Sequence, residues 1–515
     1  MKWSAPSPQS AAALLVAGLL PAAVYARATT ATPSTLQACG EIATVIPERV
    51  SYPGSLAYLK EINNYWSGAL KQIKPACLVL PTSADEVASA VQVLNAHPDV
   101  DFAVKSGGHD PNPGHASVSG GVLIATAKMS GATYDPATGL ASVGPGGEWN
   151  DVIGDLEPHG VTIAGGRLGL VGVGGYLLQG GISFLSAQYG LAADNIVGWE
   201  TVMANGSVVN VDAAAHPDLA VAMRGGGSQF GIVTRFKVRA HPIGKVWGGS
   251  RIYGPGQADV LFSALHNFTA NGAQDPKAAI IHTNLVLAGG IKSHLIYYFY
   301  DGPEPPKTGP FADFLKIPAL INLTSKQKYS SLLFTNGAAA ELITGRVSFR
   351  TYTIPFIPSN PTIYSQIFNK WVQLTKTYLD NPLHATGQCS LDFQPLPSII
   401  GSHSEAAGGN AMGLSASDPD RLILELQCMW TIPSDDAEIY ALSRQMTDWL
   451  AARVPEWLAD EGRSLADEYL PLFMNDAQAD QNVTGTYRGY EEYKALQRQL
   501  DPNGLFGQRV GGFKF

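Results

Sequence analysis

Glycine clusters constrain this chain more than any other feature. Gly144-Pro145-Gly146-Gly147, Gly165-Gly166, Gly172-Val173-Gly174-Gly175, Gly180-Gly181 and Gly225-Gly226-Gly227 fall within one stretch of the sequence. Glycine is required where backbone takes a positive φ or lies directly against a ligand or another strand. So many clusters in one region predict a backbone wrapped closely around a large, extended, phosphate-bearing molecule, or else a turn-rich β-protein with no ligand. The 55 glycines and 34 prolines follow no collagen-like period, so they mark turns and close approaches. A Rossmann site is disfavoured, because no G-x-G-x-x-G joins a strand to a helix, and the P-loop with its lysine is also missing.

The region opens on a recognisable unit. Ser83-Ala84-Asp85-Glu86 is a capping box, in which Ser83 and Glu86 satisfy free amides at a helix start. Val87, Val91 and Leu94 then share one face of that helix. The apolar Phe102-Ala103-Val104 runs next into Ser106-Gly107-Gly108-His109. Strand–helix–strand into a glycine turn is a natural place to bind a cofactor phosphate. A lone histidine is more often structural than functional, but His109 stands where a Gly-Gly turn presents a side chain to a ligand. The chemistry of that residue alone does not identify its partner.

The whole chain narrows the setting. A net charge of −9 and no long basic run argue against nucleic acid or an anionic membrane as partner. Lys2, the apolar stretch Ala11–Leu20, Pro21 and the small-residue site Val24-Tyr25-Ala26 have the layout of a signal peptide over residues 1–26, and the stretch is too short for a membrane span. No later stretch is long and apolar enough to cross a bilayer, so the mature chain is expected to be secreted and extracellular. Cys39, Cys77, Cys389 and Cys428 fit an oxidising compartment. Four cysteines allow three pairings; Cys39–Cys77 with Cys389–Cys428 closes the shorter loops and is the expected one. Sequons stand at Asn205, Asn267, Asn322 and Asn482. With no C-x-x-C and no HExxH, no metal is expected.

From Val246 to about Ile432 glycine thins and alternation appears, as in Arg346-Val347-Ser348-Phe349-Arg350 and Arg421-Leu422-Ile423-Leu424-Glu425-Leu426. Period-two patterning predicts half-buried strands of a mostly antiparallel sheet, with helices such as Ala437–Leu450 over one face. The tail ends in the turn Asp501-Pro502-Asn503-Gly504 and in Gly511-Gly512-Phe513, and its glycines predict a return to the first region. The expected fold is α+β: a cofactor domain over 70–245, a substrate domain with an antiparallel sheet covered by helices over 246–464, and a returning segment over 465–515.

These motifs together carry a resemblance. Pro81-Thr82-Ser83-Ala84-Asp85-Glu86-Val87, Lys105-Ser106-Gly107-Gly108-His109, Gly144-Pro145-Gly146, Val171-Gly172-Val173-Gly174-Gly175 and Tyr189-Gly190-Leu191-Ala192-Ala193-Asp194-Asn195 resemble the two-lobed, PCMH-type FAD-binding domain of the vanillyl-alcohol-oxidase superfamily. Arg224-Gly225-Gly226-Gly227 and Phe230-Gly231-Ile232-Val233-Thr234 complete that set. Tyr487, Asp501-Pro502, Phe506 and Gly511-Gly512-Phe513-Lys514 resemble the closing segment of secreted fungal berberine-bridge-enzyme-like oxidases. The resemblance implies FAD as cofactor, bonded at its 8α-methyl to His109. The loop Ser106, Gly107, Gly108, His109 and Asp110, and the Gly172–Gly175 stretch with Gly174, would hold the pyrophosphate by backbone amides. Ile232 and Val233 would lie near the adenine. Such a histidyl link raises the flavin potential and prevents cofactor loss.

Two positions depart from the family pattern. Many relatives add a cysteinyl bond to the flavin; that position is Leu168 here, so a single covalent bond is expected. Relatives that oxidise sugars or alcohols carry a catalytic Tyr-x-Asn in the tail; Phe473-Met474-Asn475 stands there, and Phe473 has no proton to exchange. The candidates for the chemistry are therefore Asn475, Asp476 and Tyr469 beside Phe473, and Asp392 and Gln394 on a strand facing the flavin. Val171 holds the position that resembles the oxygen gate of relatives, and a small valine fits an oxidase. The expected activity is oxidation of a hydroxyl-bearing carbohydrate, alcohol or secondary metabolite, with O2 as acceptor. The alternatives are a biosynthetic flavoenzyme that forms a ring or double bond, and a flavin-binding protein whose catalysis has decayed.

Overall fold

The computed structural model describes residues 31–341 and 344–515. The leader expected over 1–26 lies outside the described residues.

The first lobe holds two small sheets. In one, Val50–Ser51, Cys77–Val79, Val122–Ala125 and Phe102–Lys105 lie side by side, the last three parallel. The helix Ala84–Ala96 makes the crossover, with Ser83 Oγ accepting from the Glu86 amide and Val87, Val91 and Leu94 buried as their spacing predicts. Glu86 reaches back to the Thr82 amide at 2.6 Å and pairs with Arg49, so the box closes one residue earlier than expected. The second sheet is antiparallel, in the order Ala132–Asp135, Leu140–Val143, Ile232–Arg239, Ile196–Val202, Val208–Val211. This lobe begins before residue 70: the helix Pro33–Val45 packs on Ala84–Ala96 and is tied to the first sheet by the disulfide Cys39–Cys77.

An antiparallel sheet of eight strands follows from Val246. Its main path runs Ile321–Asn322, Val246–Tyr253, Ile291–Tyr300, Ala278–Leu287, Gln388–Leu396, Arg421–Trp430, Arg346–Pro355. Strand alternation sends Ile280, Ile296, Leu391, Leu424 and Leu426 to one face. There they pack under the helices Ala258–Asn271, Ile363–Leu379 and Asp436–Asp460. The last helix begins within a residue of the expected start and runs past Leu450 through Pro455, because Val454, Trp457 and Leu458 extend its buried face. Cys389 and Cys428 stand directly opposed on neighbouring strands and form the second disulfide. Both pairings are those expected from the sequence.

The tail returns to the first lobe. Asp501 accepts from the amides of Leu505, Phe506 and Gly507, and Phe506 and Val510 enter the core beside Phe102. Among the described residues no helix is long and apolar enough to cross a membrane.

Candidate active site

The two lobes enclose a cavity of about 440 Å³. One wall is the first-lobe loop Ser106–Asp110. Gly108 sits at φ +76°, a conformation glycine adopts without strain, and a Cβ there would meet the Asn64 carbonyl at 2.9 Å. Gly107 lies against Gly172, whose Cα would be 2.5 Å from an added Cβ. Only two glycines allow the backbones to approach this closely. Ser106 Oγ fixes the junction by donating to the Pro145 carbonyl at 2.6 Å and accepting from the Gly174 amide at 3.1 Å.

His109 faces the cavity from this loop. Its ring stacks on Trp66 at 4.2 Å and 12°, and the Trp66 amide donates to the Gly108 carbonyl. Its Nδ1 is buried with no hydrogen-bond partner. Burial pushes the imidazole down to about 4, which keeps it neutral at ordinary pH, with one of its two ring nitrogens free of a proton. Trp66 comes from a segment that sequence reading did not connect with the site.

These features fit FAD. The amides of Gly107, Gly108, His109 and Asp110 donate to no group among the described residues, which leaves a row of N–H groups for a pyrophosphate. Ile232 and Val233 line the same cavity from the first-lobe sheet, as do Val171 and Leu168. In the Gly172–Gly175 stretch the amides of Gly172 and Gly175 donate to no group among the described residues, while the other two are engaged. The Gly174 amide is already bonded to Pro145 and Ser106, and the Val173 amide to Gly147. Asp110 turns its carboxylate into its own loop, accepting from Asn112 and pairing with His115 at 2.9 Å. Those partners hold it below the usual carboxylate range despite its burial.

A second wall is the other face of the large sheet, whose Phe349 lies 6.3 Å from the His109 ring. Period-two alternation brings Thr283, Tyr297, Ser390, Asp392, Glu425 and Gln427 to it from four adjacent strands. Asp392 is paired in register with Thr283 on one side and Glu425 on the other. Asp476 reaches the cavity from the tail, and Arg167 from the glycine-rich stretch. Gln394 joins them: its amide donates to Asp476 at 2.7 Å, and its carbonyl accepts from Arg167. Burial pushes Asp392 up to about 7 and Asp476 up to about 6, with Arg167 holding both back. Glu425 is raised well above its ordinary value by burial and by the charges of Asp476 and Asp392. Glu425 was not singled out from sequence, although an acid inside an alternating apolar strand was the available signal. Arg167 stood unremarked beside Leu168.

Of the other candidates, Phe473 lines the cavity but brings no proton. Asn475 accepts from the Gly181 amide at 3.0 Å and donates to the Tyr176 carbonyl, so it holds the glycine turn in place. Tyr469 does not belong to the cavity. Its hydroxyl donates to the Met412 carbonyl, and its ring lies under the Arg488 guanidinium at 3.6 Å, so it braces the tail.

Similarity to known proteins agrees with this geometry. Residues 75–212 match the FAD binding domain family. An uncharacterised FAD-linked oxidoreductase of Arthroderma benhamiae is 36% identical over 475 residues, spanning 90% of this chain and 92% of that protein. The FAD-dependent monooxygenase drtC of Aspergillus calidoustus is 31% identical, over 92% of this chain and 88% of its own length. Among solved structures, the glucose dehydrogenase Phl p 4.0202 superposes with a TM-score of 0.72 at 18% identity, covering 93% of this chain and 99% of that one. A chitooligosaccharide oxidase gives 0.69 at 17%, covering 93% and 100%. These last two establish the α+β fold alone. At the identity and coverage of its fungal relatives, the chain belongs to the FAD-linked oxidoreductases.

Proposed function

We propose that this protein is a secreted oxidase that takes a hydride from a hydroxyl-bearing carbohydrate, alcohol or secondary metabolite. The observation that carries the reading is the meeting of Asp392, Glu425 and Asp476 with Arg167 on the sheet wall of the cavity. Oxidation of a hydroxyl carbon removes a proton from oxygen as hydride leaves carbon, so it needs a base held near neutral pH beside the substrate. A carboxyl pushed up to about 7 meets that requirement, and Phe473 does not. FAD held by the Ser106–Asp110 loop would supply the hydride acceptor, with O2 as the final acceptor and hydrogen peroxide as product. Val171, small and on the cavity wall, supports the oxidase reading. The carboxylate cluster also weighs against a decayed flavin carrier, since buried acids without a task are costly.

The link of His109 to the cofactor rests on its neutral ring, its unpartnered Nδ1 and its stacking on Trp66. All four cysteines are in disulfides and Leu168 lines the cavity, which supports a single covalent bond. Exposed sequons at Asn205, Asn322 and Asn482 suit secretion. Asn267 is a poorer glycan acceptor, because its amide donates to Asp313 within the structure.

A second reading is oxidative ring closure or dehydrogenation in a biosynthetic route, favoured by the relative that carries a monooxygenase name. Oxygen uptake against sugars, alcohols and phenolics decides between them. The material is protein recovered from culture medium, with its N-terminus following Ala26. Peroxide formation with one of these classes is expected, and Asp392→Asn should slow it by about two orders of magnitude or more. Anaerobic bleaching of the flavin without peroxide formation in air would favour the biosynthetic reading. No bleaching by any compound would count against both.

A further inference from the structure

We propose that Asp392 and Glu425 work as one carboxyl pair that holds a single proton between them, with Glu425 as the positioning residue that sets when Asp392 is free to accept the substrate's proton. The inference deepens the reading of the cavity as the oxidation site and rests on it.

The geometry comes first. Asp392 on Gln388–Leu396 and Glu425 on Arg421–Trp430 are directly opposed partners of one antiparallel ladder, on the face that lines the cavity. Directly opposed residues of such a ladder have Cβ atoms about 5 Å apart, and like charges at that position repel. Both are half-buried on the cavity wall, where that repulsion is stronger than in bulk water. Among the described residues neither Asp392 Oδ1 nor the Thr283 hydroxyl in register with it makes a hydrogen bond of good geometry, although Thr283 lies near enough to favour the carboxylate. An oxygen placed in this way has room for a proton or for a substrate hydroxyl.

The surroundings leave too little positive charge for two carboxylates. Among the described residues that line the cavity, Arg167 is the one arginine or lysine, and its guanidinium is engaged by Gln394. The other groups that face the pair are Asp476 from the tail, Tyr297 from the neighbouring strand and Ser390 on the strand of Asp392. Asp476 adds a third negative charge, and the Tyr297 phenol stays neutral because burial and both carboxyls push it up. Three acids against one guanidinium do not all ionise together near neutral pH: Glu425 is raised by burial and by the charges of both Asp476 and Asp392, and of these Asp392 is the one directly opposed to it on the ladder. One carboxylate then remains to take the proton as the substrate O–H bond breaks and its C=O forms, while the hydride lost from carbon would go to the FAD of the proposed function. The accepted proton is shared over the pair and Asp476 rather than fixed on one buried acid.

The test is infrared difference titration of the flavin-loaded protein, which reads the C=O stretch of protonated carboxyls without any substrate. In Glu425→Gln the remaining Asp392 is expected to titrate about one pH unit or more lower than in the parent protein. In Asp392→Asn the Glu425 midpoint should fall by an equal amount, because coupling is reciprocal. A midpoint that stays in place in either variant overturns the pair, since burial of each acid alone would leave it there. Should a neutral variant fail to fold, Glu425→Asp carries the test. It keeps both charges and must leave the Asp392 midpoint raised, and a fall of a unit or more there overturns the proposal. None of these outcomes depends on finding the substrate, so the pair and the oxidase reading fail or stand separately.

Discussion

At the scale of single residues, the flavin wall is built around a histidine held flat. Gly107 and Gly108 let the loop pass close to Gly172 and Asn64, and Trp66 covers the His109 ring. A ring held by stacking presents its free nitrogen along one direction, which favours bond formation through orientation. His109→Ala is therefore expected to release all flavin into the supernatant when the protein is precipitated with acid. Trp66→Leu should leave the cofactor bound but move a substantial share of the yellow colour from pellet to supernatant. Colour wholly in the pellet for Trp66→Leu would show that stacking has no part in the linkage. Colour in the supernatant for the parent protein would end the covalent reading itself. His109 was legible in the sequence because two glycines precede it. Trp66 was not, because its contact depends on a segment more than forty residues upstream.

At the scale of elements, one sheet does two jobs with alternate residues. The cavity face carries Thr283, Asp392 and Glu425, and the other face carries the core beneath the helices. Alternation made the strands legible, including Arg421–Trp430, but period two does not say which acid faces a cofactor. The register that sets Asp392 against Glu425 is a tertiary fact. The core face holds two histidines of its own. His282 and His294 are fully buried among Phe262, Phe368 and Phe393, and both ring nitrogens of His282 lack partners. Burial pushes His294 down to about 4 and His282 well below its ordinary value. In the unfolded chain both take up protons below about 6.5, while the folded protein excludes them. Stability is then intact above that pH and is lost as pH falls from about 6.5 toward about 4, on the order of 3 kcal/mol for His294 alone. The melting temperature should drop between pH 7 and pH 5, and His282→Phe should flatten that drop. An equally steep fall in the variant would place the acid sensitivity elsewhere.

At the scale of the whole molecule, the tail closes the cavity that the two lobes begin. Its glycines predicted the return, and the contacts give the reason. Arg509 donates to the carbonyls of Leu94, His97 and Val100 at the end of the Ala84–Ala96 helix and the loop beyond it. Phe506, Val510 and Gly512, on either side of it, line the cavity. One side chain thus fastens a cavity wall to the first lobe. Hydrogen bonds to a charged group contribute about 1.5–3 kcal/mol each net of the exchange with water. Arg509→Ala should accordingly lower the unfolding free energy by about 2 kcal/mol or more. The effect is checked by thermal unfolding followed through both tryptophan and flavin signals. The two signals should shift together, because the tail belongs to the lobe that holds the cofactor. A flavin signal lost at a temperature where the tryptophan signal is unchanged would mean that the tail is a separate flap, and that the first lobe keeps its fold without it.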